Sequence, residues 1–406
     1  MDPVPDPAGN DSSRPNIRLN YLDTILLTGP DGVPITSLDP DAIGFIQLDG
    51  FPPLPRATYE GDGFGSPGVR NARIAMDCEG LVLNADGSFW ISDEYGPYIY
   101  KFSEQGKMIH AVQPPPAFLP LRNGTVSFSG AEPPMFQRDR VPIPLNPTAG
   151  RANNQGFEGL TASPDGKTIY AMMQSAMNQE GGPKKRFRRQ ARLLEYDISG
   201  HHPALSHEHV VTLPLYDTGD KLEATSQSEI HQLSNGHFLV LARDSGFGRG
   251  EEETESKYRH VDIMSIDQAT DIAGGEYDCI NGSIASDKGV LDHNLTNATY
   301  CPFLDFNIES ELRKFGLHNG GQQDDHLLNE KWESLSLVPI DQVDSNRNPE
   351  YFLFSFSDND FKTQDGFQNF GQFRFSDKSG YNIDTQILVF RISYGQVRVA
   401  GGHSEL

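Results

Sequence analysis

Four glutamates stand at the beginning of apolar segments that share one pattern, and their side chains are suited to binding a metal ion. These glutamates are Glu79, Glu158, Glu229 and Glu333. Carboxylates that converge on one point repel one another, so a shared cation is the natural means of keeping them ionised. Hard oxygen ligands favour calcium, with magnesium as the alternative, over zinc. The sequence therefore predicts a ring of four glutamates around a Ca²⁺ ion.

Polar residues near the ends of neighbouring segments provide the groups that would accompany such an ion. We assign proton transfer and stabilisation of negative charge to Glu94, His231, Arg243 and Asp244, and substrate contacts to Asp93, Gln174, Asp358 and Asn359. His231 follows Glu229 by two residues, so strand alternation gives both side chains the same facing. A structural interpretation stands beside each assignment. A glutamate at a strand start can bond neighbouring backbone amides, a histidine can be a core residue, and an aspartate can form a turn.

A repeated segment indicates the architecture that must position these side chains. FEGLTASPDGKTIYAMMQS repeats the order seen in CEGLVLNADGSFWISDEYG, which is a strand, an Asp-Gly turn and a second strand. Similar segments begin at Ser228 and Trp332, and a less regular one covers RLNYLDTILL and IGFIQLDG. Each repeat predicts a four-stranded blade. We therefore predict an all-β fold, a β-propeller of six blades, with five or seven blades as the alternatives.

The blades are expected to form a single domain over residues 18–406, after a flexible N-terminal segment at 1–17. Segments rich in Pro, Gly and charge predict four loop insertions, at 113–150, 174–191, 244–259 and 267–330. A doubly wound α/β fold is the competing class, but no long segment has the helical apolar periodicity that its crossover helices require. In a propeller, the loops that enter the first strands and those that follow the second strands open on one face. The four glutamates would therefore meet at the channel mouth.

The charge of the chain limits the classes of molecule that the protein is expected to bind. The chain has 33 basic and 56 acidic residues, a formal net charge of −23. Such a charge repels nucleic acids and anionic membranes and favours cations. No apolar run approaches the roughly 20 residues that a membrane span needs. We expect a monomer that binds a small-molecule ester or phosphoester, and neither nucleic acid nor membrane.

Glycosylation motifs and cysteines bear on the cellular compartment. The acceptor pattern Asn-X-Ser/Thr occurs at Asn10, Asn123, Asn281, Asn294 and Asn297. Several acceptors in loop-like contexts favour a secreted, extracellular glycoprotein whose leader has been removed. Cys279 and Cys301 flank a polar loop and are predicted to form a disulfide, which leaves Cys78 alone. Three thiols in an intracellular protein are the alternative.

One basic segment runs against the acidic charge of the chain. KKRFRRQAR, from Lys184 to Arg192, lies largely within the second insertion. One interpretation is a cationic lid over the channel mouth that draws an anionic substrate towards the metal. The other is a solvated loop, with proteolytic processing as a further option.

The order of these motifs resembles a known family. CEGLVLNADGSFWISDEYGPYIYKF, NQGFEGLTASPDGKTIYAMMQS and WESLSLVPI followed by FSFSDNDF are similar to the phytase-like propeller family, whose domain is described as having esterase-like activity. The resemblance spans roughly residues 40–400. More distantly, the chain resembles the senescence-marker and gluconolactonase propellers, in which a glutamate at the start of an innermost strand binds the catalytic metal. Glu79 matches that position.

The resemblance implies a metal-dependent esterase. Phytate-degrading propellers surround calcium with many Lys and Arg side chains, whereas the rim residues here are mainly acidic or neutral, apart from Arg243 and 184–192. The leading hypothesis is a secreted, calcium-dependent hydrolase of ester bonds, a phosphoesterase of the phytase-like kind, that uses a metal-activated water. A lactonase or carboxylic ester hydrolase with the same metal site is one alternative. A non-catalytic binding propeller with a structural metal is another.

Overall fold

The computed structural model describes residues 20–61, 68–137, 139–234, 236–340, 349–368, 371 and 373–393. Within these residues the chain is almost entirely antiparallel β-structure, which confirms the predicted all-β class. The predicted segment 1–17, including Asn10, lies outside the described residues.

Five sheets of three or four strands follow one another along the described chain. The first contains β1 (Phe45–Ile46), β2 (Leu54–Glu60) and β3 (Arg70–Ile74), and the second β4 (Cys78–Leu83), β5 (Phe89–Asp93), β6 (Ile99–Phe102) and β7 (Met108–Val112). After the hairpin β8 (Leu121–Arg122) and β9 (Thr125–Val126), the third sheet contains β10 (Phe157–Ala162), β11 (Thr168–Met173), β12 (Gln190–Asp197) and β13 (Ala204–Thr212).

The second half of the chain repeats this arrangement. The hairpin β14 (Leu215–Asp217) and β15 (Leu222–Ala224) precedes the fourth sheet, which contains β16 (Ser226–Ser234), β17 (His237–Arg243), β18 (Arg259–Ser265) and β19 (Thr299–Asp305). The fifth sheet contains β20 (Ser336–Pro339), β21 (Glu350–Phe356) and β24 (Ile387–Ser393), with the hairpin β22 (Gly366–Gln368) and β23 (Phe373–Phe375) between its last two strands.

In the part of the chain that the structure describes, helical structure is restricted to single turns. The α-helix α1 is Glu309–Leu312, and 3₁₀ turns lie at Pro116–Phe118, Asn178–Glu180, Glu276–Asp278 and Arg313–Phe315. Among the residues that the structure describes, no helix is long and apolar enough to cross a membrane.

Hydrophobic clusters join each sheet to the next one along the chain. Each of four clusters contains buried residues from two successive sheets, for example Leu54 and Phe89, Trp90 and Phe157, Tyr170 and Phe238, and Leu239 and Leu353. Fully burying one such side chain contributes roughly 1.5–3 kcal/mol. The sheets are therefore held in chain order by face-to-face packing.

Tight turns shape the repeated hairpins as the sequence predicts. Gly87 and Gly166 have positive φ angles of 82° and 68°, and the side chains of Asp86 and Asp165 accept backbone hydrogen bonds from Ser88 and Lys167. Glycine adopts this left-handed conformation without the steric cost that a Cβ adds. The Asp-Gly pairs thus close the β4–β5 and β10–β11 hairpins.

The first strands of the second, third and fourth sheets lie side by side. The Gly80 amide donates to the Ser92 hydroxyl, which in turn donates to the carbonyl oxygen of Glu158. A Cβ on Gly80 would lie 2.5 Å from Leu160 Cβ and 2.7 Å from its backbone nitrogen. The glycine in the Glu-Gly-Leu motif is therefore required by the close approach of β4 and β10.

Three expectations from the sequence need correction. Residues 299–305, inside the predicted insertion 267–330, form β19 and complete the fourth sheet. In RLNYLDTILL, the described residues 20–27 are not in a strand. The predicted disulfide is absent: Cys301 lies in β19 opposite Ile263, Cys279 follows the 3₁₀ turn at Glu276–Asp278, and both thiols are free.

Replacing Gly80 with alanine tests the contact between the first strands. Because the new methyl group would overlap backbone atoms of β10, Gly80→Ala should lower the free energy of unfolding by about 1–3 kcal/mol. Gly200→Ala is the matched control, since a Cβ at exposed Gly200 has its nearest neighbour at 3.8 Å. Denaturant unfolding of the two variants measures the difference, and equal stabilities would contradict the close-approach argument.

A candidate metal centre at the β4–β5 hairpin

The open end of the β4–β5 hairpin brings two acidic segments together. Cys78 pairs with Asp93, and the register shifts between Cys78 and Leu81, which marks a bulge. Beside this pair, the Glu94 amide donates to the carbonyl oxygen of Asp77 at 3.1 Å. The residues flanking the Cys78–Asp93 pair are thus held next to each other by backbone hydrogen bonds.

Three carboxylates converge at this point. Ligand oxygens of Asp77, Glu79 and Glu94 all lie within 4.8 Å of one another. Glu94 is buried, and Asp77 and Glu79 are half-buried. Three carboxylate oxygens at this spacing are suited to a hard divalent cation such as calcium or magnesium. Sequence reasoning missed Asp77, although the spacing Asp-X-Glu at the start of a strand is a usable signal, since alternate residues share a face.

Glu158, from the neighbouring strand β10, extends the cluster. Its Oε1 accepts a hydrogen bond from the Gln174 side-chain amide, and its charge acts on both Glu79 and Glu94. Among the described residues, Glu94 Oε1 and Glu158 Oε2 are buried without a hydrogen-bond partner. Unsatisfied buried oxygens of this kind are costly and fit a cation ligand.

Burial and mutual repulsion raise the pKa values of the whole cluster. Burial raises the pKa of Asp77 to about 7, with a further contribution from Asp93. Burial and the negative charge of Glu333 raise the pKa of Glu158 to about 7. For Glu79 and Glu94, burial and then the charge of Glu158 raise the pKa well above its usual range. A cation bound among these groups would favour their ionised forms.

Cations of the protein lie on the Glu333 side of the cluster. Arg243 donates to Glu333 Oε1 at 2.5 Å and to the Ser228 hydroxyl at 3.0 Å. Burial alone would lower the pKa of the Arg243 guanidinium. The negative charges of Glu333 and Glu330 outweigh this effect and raise the pKa. Lys331 pairs with Asp360 at 2.8 Å. The acidic group is therefore bordered by two cations, each of which already has a carboxylate partner.

Glu229, a predicted metal ligand, has a structural role. Its Oε1 accepts hydrogen bonds from the Leu160 amide at 3.0 Å and the Ile230 amide at 2.8 Å. Burial raises the pKa of Glu229 to about 8. This carboxyl group therefore ties β16 to β10, as the structural interpretation anticipated. Of the four predicted glutamates, Glu79 lies in the three-carboxylate group, Glu158 adjoins it, and Glu333 is ion-paired.

Other predicted site residues hold loops in place. Asp93 accepts four hydrogen bonds, from the amides of Asp77, Tyr95 and Gly96 and from the Tyr100 hydroxyl. Asp244 accepts bonds from the Ser256 hydroxyl and from the amides of Lys257 and Tyr258. The protein thus supplies four hydrogen bonds to Asp93 and three to Asp244. Both carboxylates hold loops, and their assignments to a substrate contact and to proton transfer stay predictions.

The remaining predicted residues lie outside the three-carboxylate group. Burial alone lowers the pKa of half-buried His231, without a contribution from the clustered carboxylates. Asp358 is exposed, and its side chain accepts the Asp360 amide. Half-buried Asn359 accepts the Phe361 amide in the same turn. The two rim residues thus form a turn, as their structural interpretation anticipated.

Sequence reasoning also missed Arg151, which is fully buried next to the centre. Its Nε donates to the carbonyl oxygen of Tyr95, and another nitrogen donates to that of Phe128. Burial lowers the pKa of Arg151, while Asp39, Glu94 and Asp93 oppose that shift. The side chain therefore fixes the turn after Glu94 and contributes positive charge to the acidic centre.

The basic segment 184–192 divides into two parts. Lys184, Lys185 and Arg186 are exposed, whereas Arg192 lies in β12 with no exposed side-chain surface. Arg192 pairs with the equally buried Glu180 and, at 2.8 Å, Glu208. The prediction of a lid that includes Arg192 is therefore wrong, because Arg192 belongs to a buried ion-pair network in the core.

The glycosylation acceptors differ in exposure. Asn123, Asn281 and Asn294 are exposed, and Asn297 is half-buried. The exposed three lie in turns or loops rather than inside strands, as an acceptor requires.

Known proteins match most of the chain. Residues 13–309 match a family described as phytase-like, with the esterase-like activity of phytase. A protein of Arthroderma benhamiae (strain ATCC MYA-4681 / CBS 112371), named "Uncharacterized secreted protein", is 57% identical over 364 residues, which cover 87% of this chain and 71% of that protein. The crystal structure of the RRP9 WD40 repeats aligns at 11% identity over 51% of this chain and 50% of its own length. Its TM-score of 0.19 is too low to indicate a shared fold.

Removing Arg192 tests the buried ion-pair network. Arg192→Met should lower the free energy of unfolding by about 3–5 kcal/mol, because it leaves Glu180 and Glu208 buried without their cation. Arg313→Met breaks an exposed pair with Glu309 and should cost less than about 1 kcal/mol. Denaturant unfolding compares the variants, and similar losses for both would contradict the assignment.

Cation binding tests the three-carboxylate group. Glu94→Gln should weaken calcium binding by roughly 10- to 100-fold, because it removes one of three converging negative charges. Glu311→Gln makes the same chemical change on the exposed side of α1 and should leave the affinity unchanged. Calorimetric titration with calcium chloride measures both. Equal calcium affinities in Glu94→Gln and the wild type would contradict the assignment of the three carboxylates as a calcium site.

Proposed function

Since the chain belongs to the phytase-like family, we propose that it is a secreted β-propeller enzyme that hydrolyses ester bonds with the help of a calcium ion. The observation that carries the proposal is the convergence of carboxylate oxygens from Asp77, Glu79 and Glu94 within 4.8 Å. The buried, unpartnered oxygens of Glu94 and Glu158 support it independently.

A propeller accounts for the order of the sheets. Antiparallel sheets of three or four strands that pack in chain order, with the first strands of the second, third and fourth sheets side by side, are what blades around an axis require. The ring would be closed between the fifth sheet and the first. Six blades remain the prediction from the sequence.

The donor set fits calcium in its chemistry. Asp77, Glu79 and Glu94 would supply carboxylate ligands, and the charge of Glu158 acts on both Glu79 and Glu94. A bound calcium ion would supply Lewis-acid polarisation of the ester and a more acidic water. Magnesium would meet the same hard oxygen donors with fewer ligands.

The protein's own groups have distinct proposed roles. Glu158, whose pKa burial raises to about 7 and which accepts a hydrogen bond from Gln174, would take up and return a proton. Arg243 and Lys331 would steady negative charge that develops on the Glu333 side. Glu79 and Asp77, which are only half-buried, leave the group accessible to a substrate from solvent.

The charge balance favours a substrate with little negative charge at the scissile group. Arg243 is paired with Glu333 and Lys331 with Asp360, so neither has its full charge available for a phosphate. A lactone or carboxylic ester therefore suits this centre better than a highly phosphorylated substrate. The relative named as secreted and the exposed acceptors Asn123, Asn281 and Asn294 support an extracellular glycoprotein.

An ester panel tests the function. We expect the protein to hydrolyse p-nitrophenyl acetate or δ-gluconolactone faster than p-nitrophenyl phosphate, and to lose the activity on chelation and regain it with calcium chloride. Glu94→Gln should lower kcat/KM by roughly 100-fold or more, because it removes one of the three proposed ligands of the catalytic ion. Initial rates across the panel are the measurement.

The control variant is again Glu311→Gln, which should hydrolyse each ester at the wild-type rate. Turnover that survives exhaustive chelation and both Glu94→Gln and Glu79→Gln would show that the carboxylate group is not the catalytic centre. Calcium binding without turnover of any ester would favour a binding propeller with a structural metal.

A further inference from the structure

A polar cavity lies near the candidate metal centre. It has a volume of about 290 Å³ and lies between the segments 131–155 and 178–188. Small-molecule sites in proteins start at roughly 300 Å³, so the cavity has room for one compact ligand. Gln155 on its wall precedes Glu158 by three residues, at most roughly 10 Å of extended chain. The cavity is therefore a neighbour of the candidate centre.

Arg188 is a cation in the cavity wall, which also carries the exposed acid Glu132. Among the described residues, Arg188 Nε is buried without a hydrogen-bond partner, and the guanidinium forms no hydrogen bond. Glu223, the acid whose charge acts on Arg188, already pairs with Lys221 at 2.6 Å and with the Tyr216 hydroxyl at 3.0 Å. Burial lowers the pKa of Arg188. The guanidinium is thus a partly buried cation that can gain from an anionic ligand.

Two amide side chains in the wall are oriented by the protein. Gln155 Oε1 accepts the Ser175 hydroxyl at 2.6 Å, and Asn178 Nδ2 donates to the carbonyl oxygen of Arg151 at 3.0 Å. These bonds leave Gln155 Nε2 as a donor and Asn178 Oδ1 as an acceptor. A hydroxyl group both donates and accepts, so it can satisfy this pair.

We propose that the cavity is the specificity subsite of the enzyme and binds a hydroxyl-rich organic anion, a part of the substrate remote from the scissile ester. Arg188 pairs with the acid group, and Gln155 and Asn178 hydrogen-bond to hydroxyls. The assignment rests on the proposed ester hydrolysis for its biological meaning, but the binding itself needs neither the metal nor turnover.

Binding of simple probes to chelator-treated protein tests the subsite. We expect D-glucuronate to bind with a Kd roughly tenfold lower than those of D-glucose, which lacks the acid, and of acetate, which lacks the hydroxyls. Arg188→Gln should weaken D-glucuronate binding roughly tenfold and leave D-glucose binding unchanged. NMR titration of the full chain measures each Kd.

Two further variants make the test specific. Gln155→Glu keeps an acceptor for Ser175 and adds a negative charge, so it should weaken D-glucuronate binding even if Arg188→Gln fails to fold. Arg186→Gln removes a charge from the same segment, but the guanidinium of Arg186 lies over the Phe187 ring and is exposed, so binding should not change.

The outcomes separate the subsite from the catalytic proposal. D-Glucuronate that binds no tighter than D-glucose, or that loses affinity equally in Arg186→Gln and Arg188→Gln, would overturn the subsite. Wild-type hydrolysis alongside absent probe binding would overturn the subsite alone. Specific probe binding in a protein that hydrolyses no ester would overturn the proposed function and leave the subsite standing.

Discussion

Buried carboxylates that repel one another impose a free-energy cost, and the rest of this structure must offset that cost. Burial, and after it the charges of neighbouring carboxylates, raise the pKa values of Asp77, Glu79, Glu94 and Glu158. Such an arrangement persists only if the scaffold supplies more free energy than the repulsion removes. Arg151, Arg243 and Lys331 reduce the cost by placing positive charge around the group.

The scaffold supplies that free energy through contacts between strands rather than through flexible loops. Ser92 and Glu229 each connect the first strand of one sheet to the first strand of the next. Asp93 closes the turn that carries Glu94, and Gly156 packs so tightly on that turn that a Cβ would lie 2.3 Å from the Glu94 carbonyl oxygen. The carboxylates are therefore presented by backbone that has little room to relax.

Local sequence patterns predicted the repeat and part of the centre. Alternating apolar residues around Asp86-Gly87 and Asp165-Gly166 specify hairpins, and the Glu-Gly-Leu pattern identified Glu79 and Glu158. The recurrence of a glutamate at a strand start could not separate Glu229 from the others, because one of its amide partners, Leu160, lies in a strand distant in sequence. Strand β19 was missed because a long polar segment separates it from β18. Arg192 was misread because its buried partners Glu180 and Glu208 lie outside the basic segment.

Arg192 also determines how distant parts of the molecule depend on each other. It joins Glu180, in the segment that walls the polar cavity, to Glu208 in β13, the outermost strand of the third sheet. Because the three side chains are fully buried, a displacement of the outer strand is transmitted to the cavity wall. Substitutions in the outer strand of this sheet would therefore change which ligand the cavity prefers among related proteins, even where the residues that line the cavity are identical.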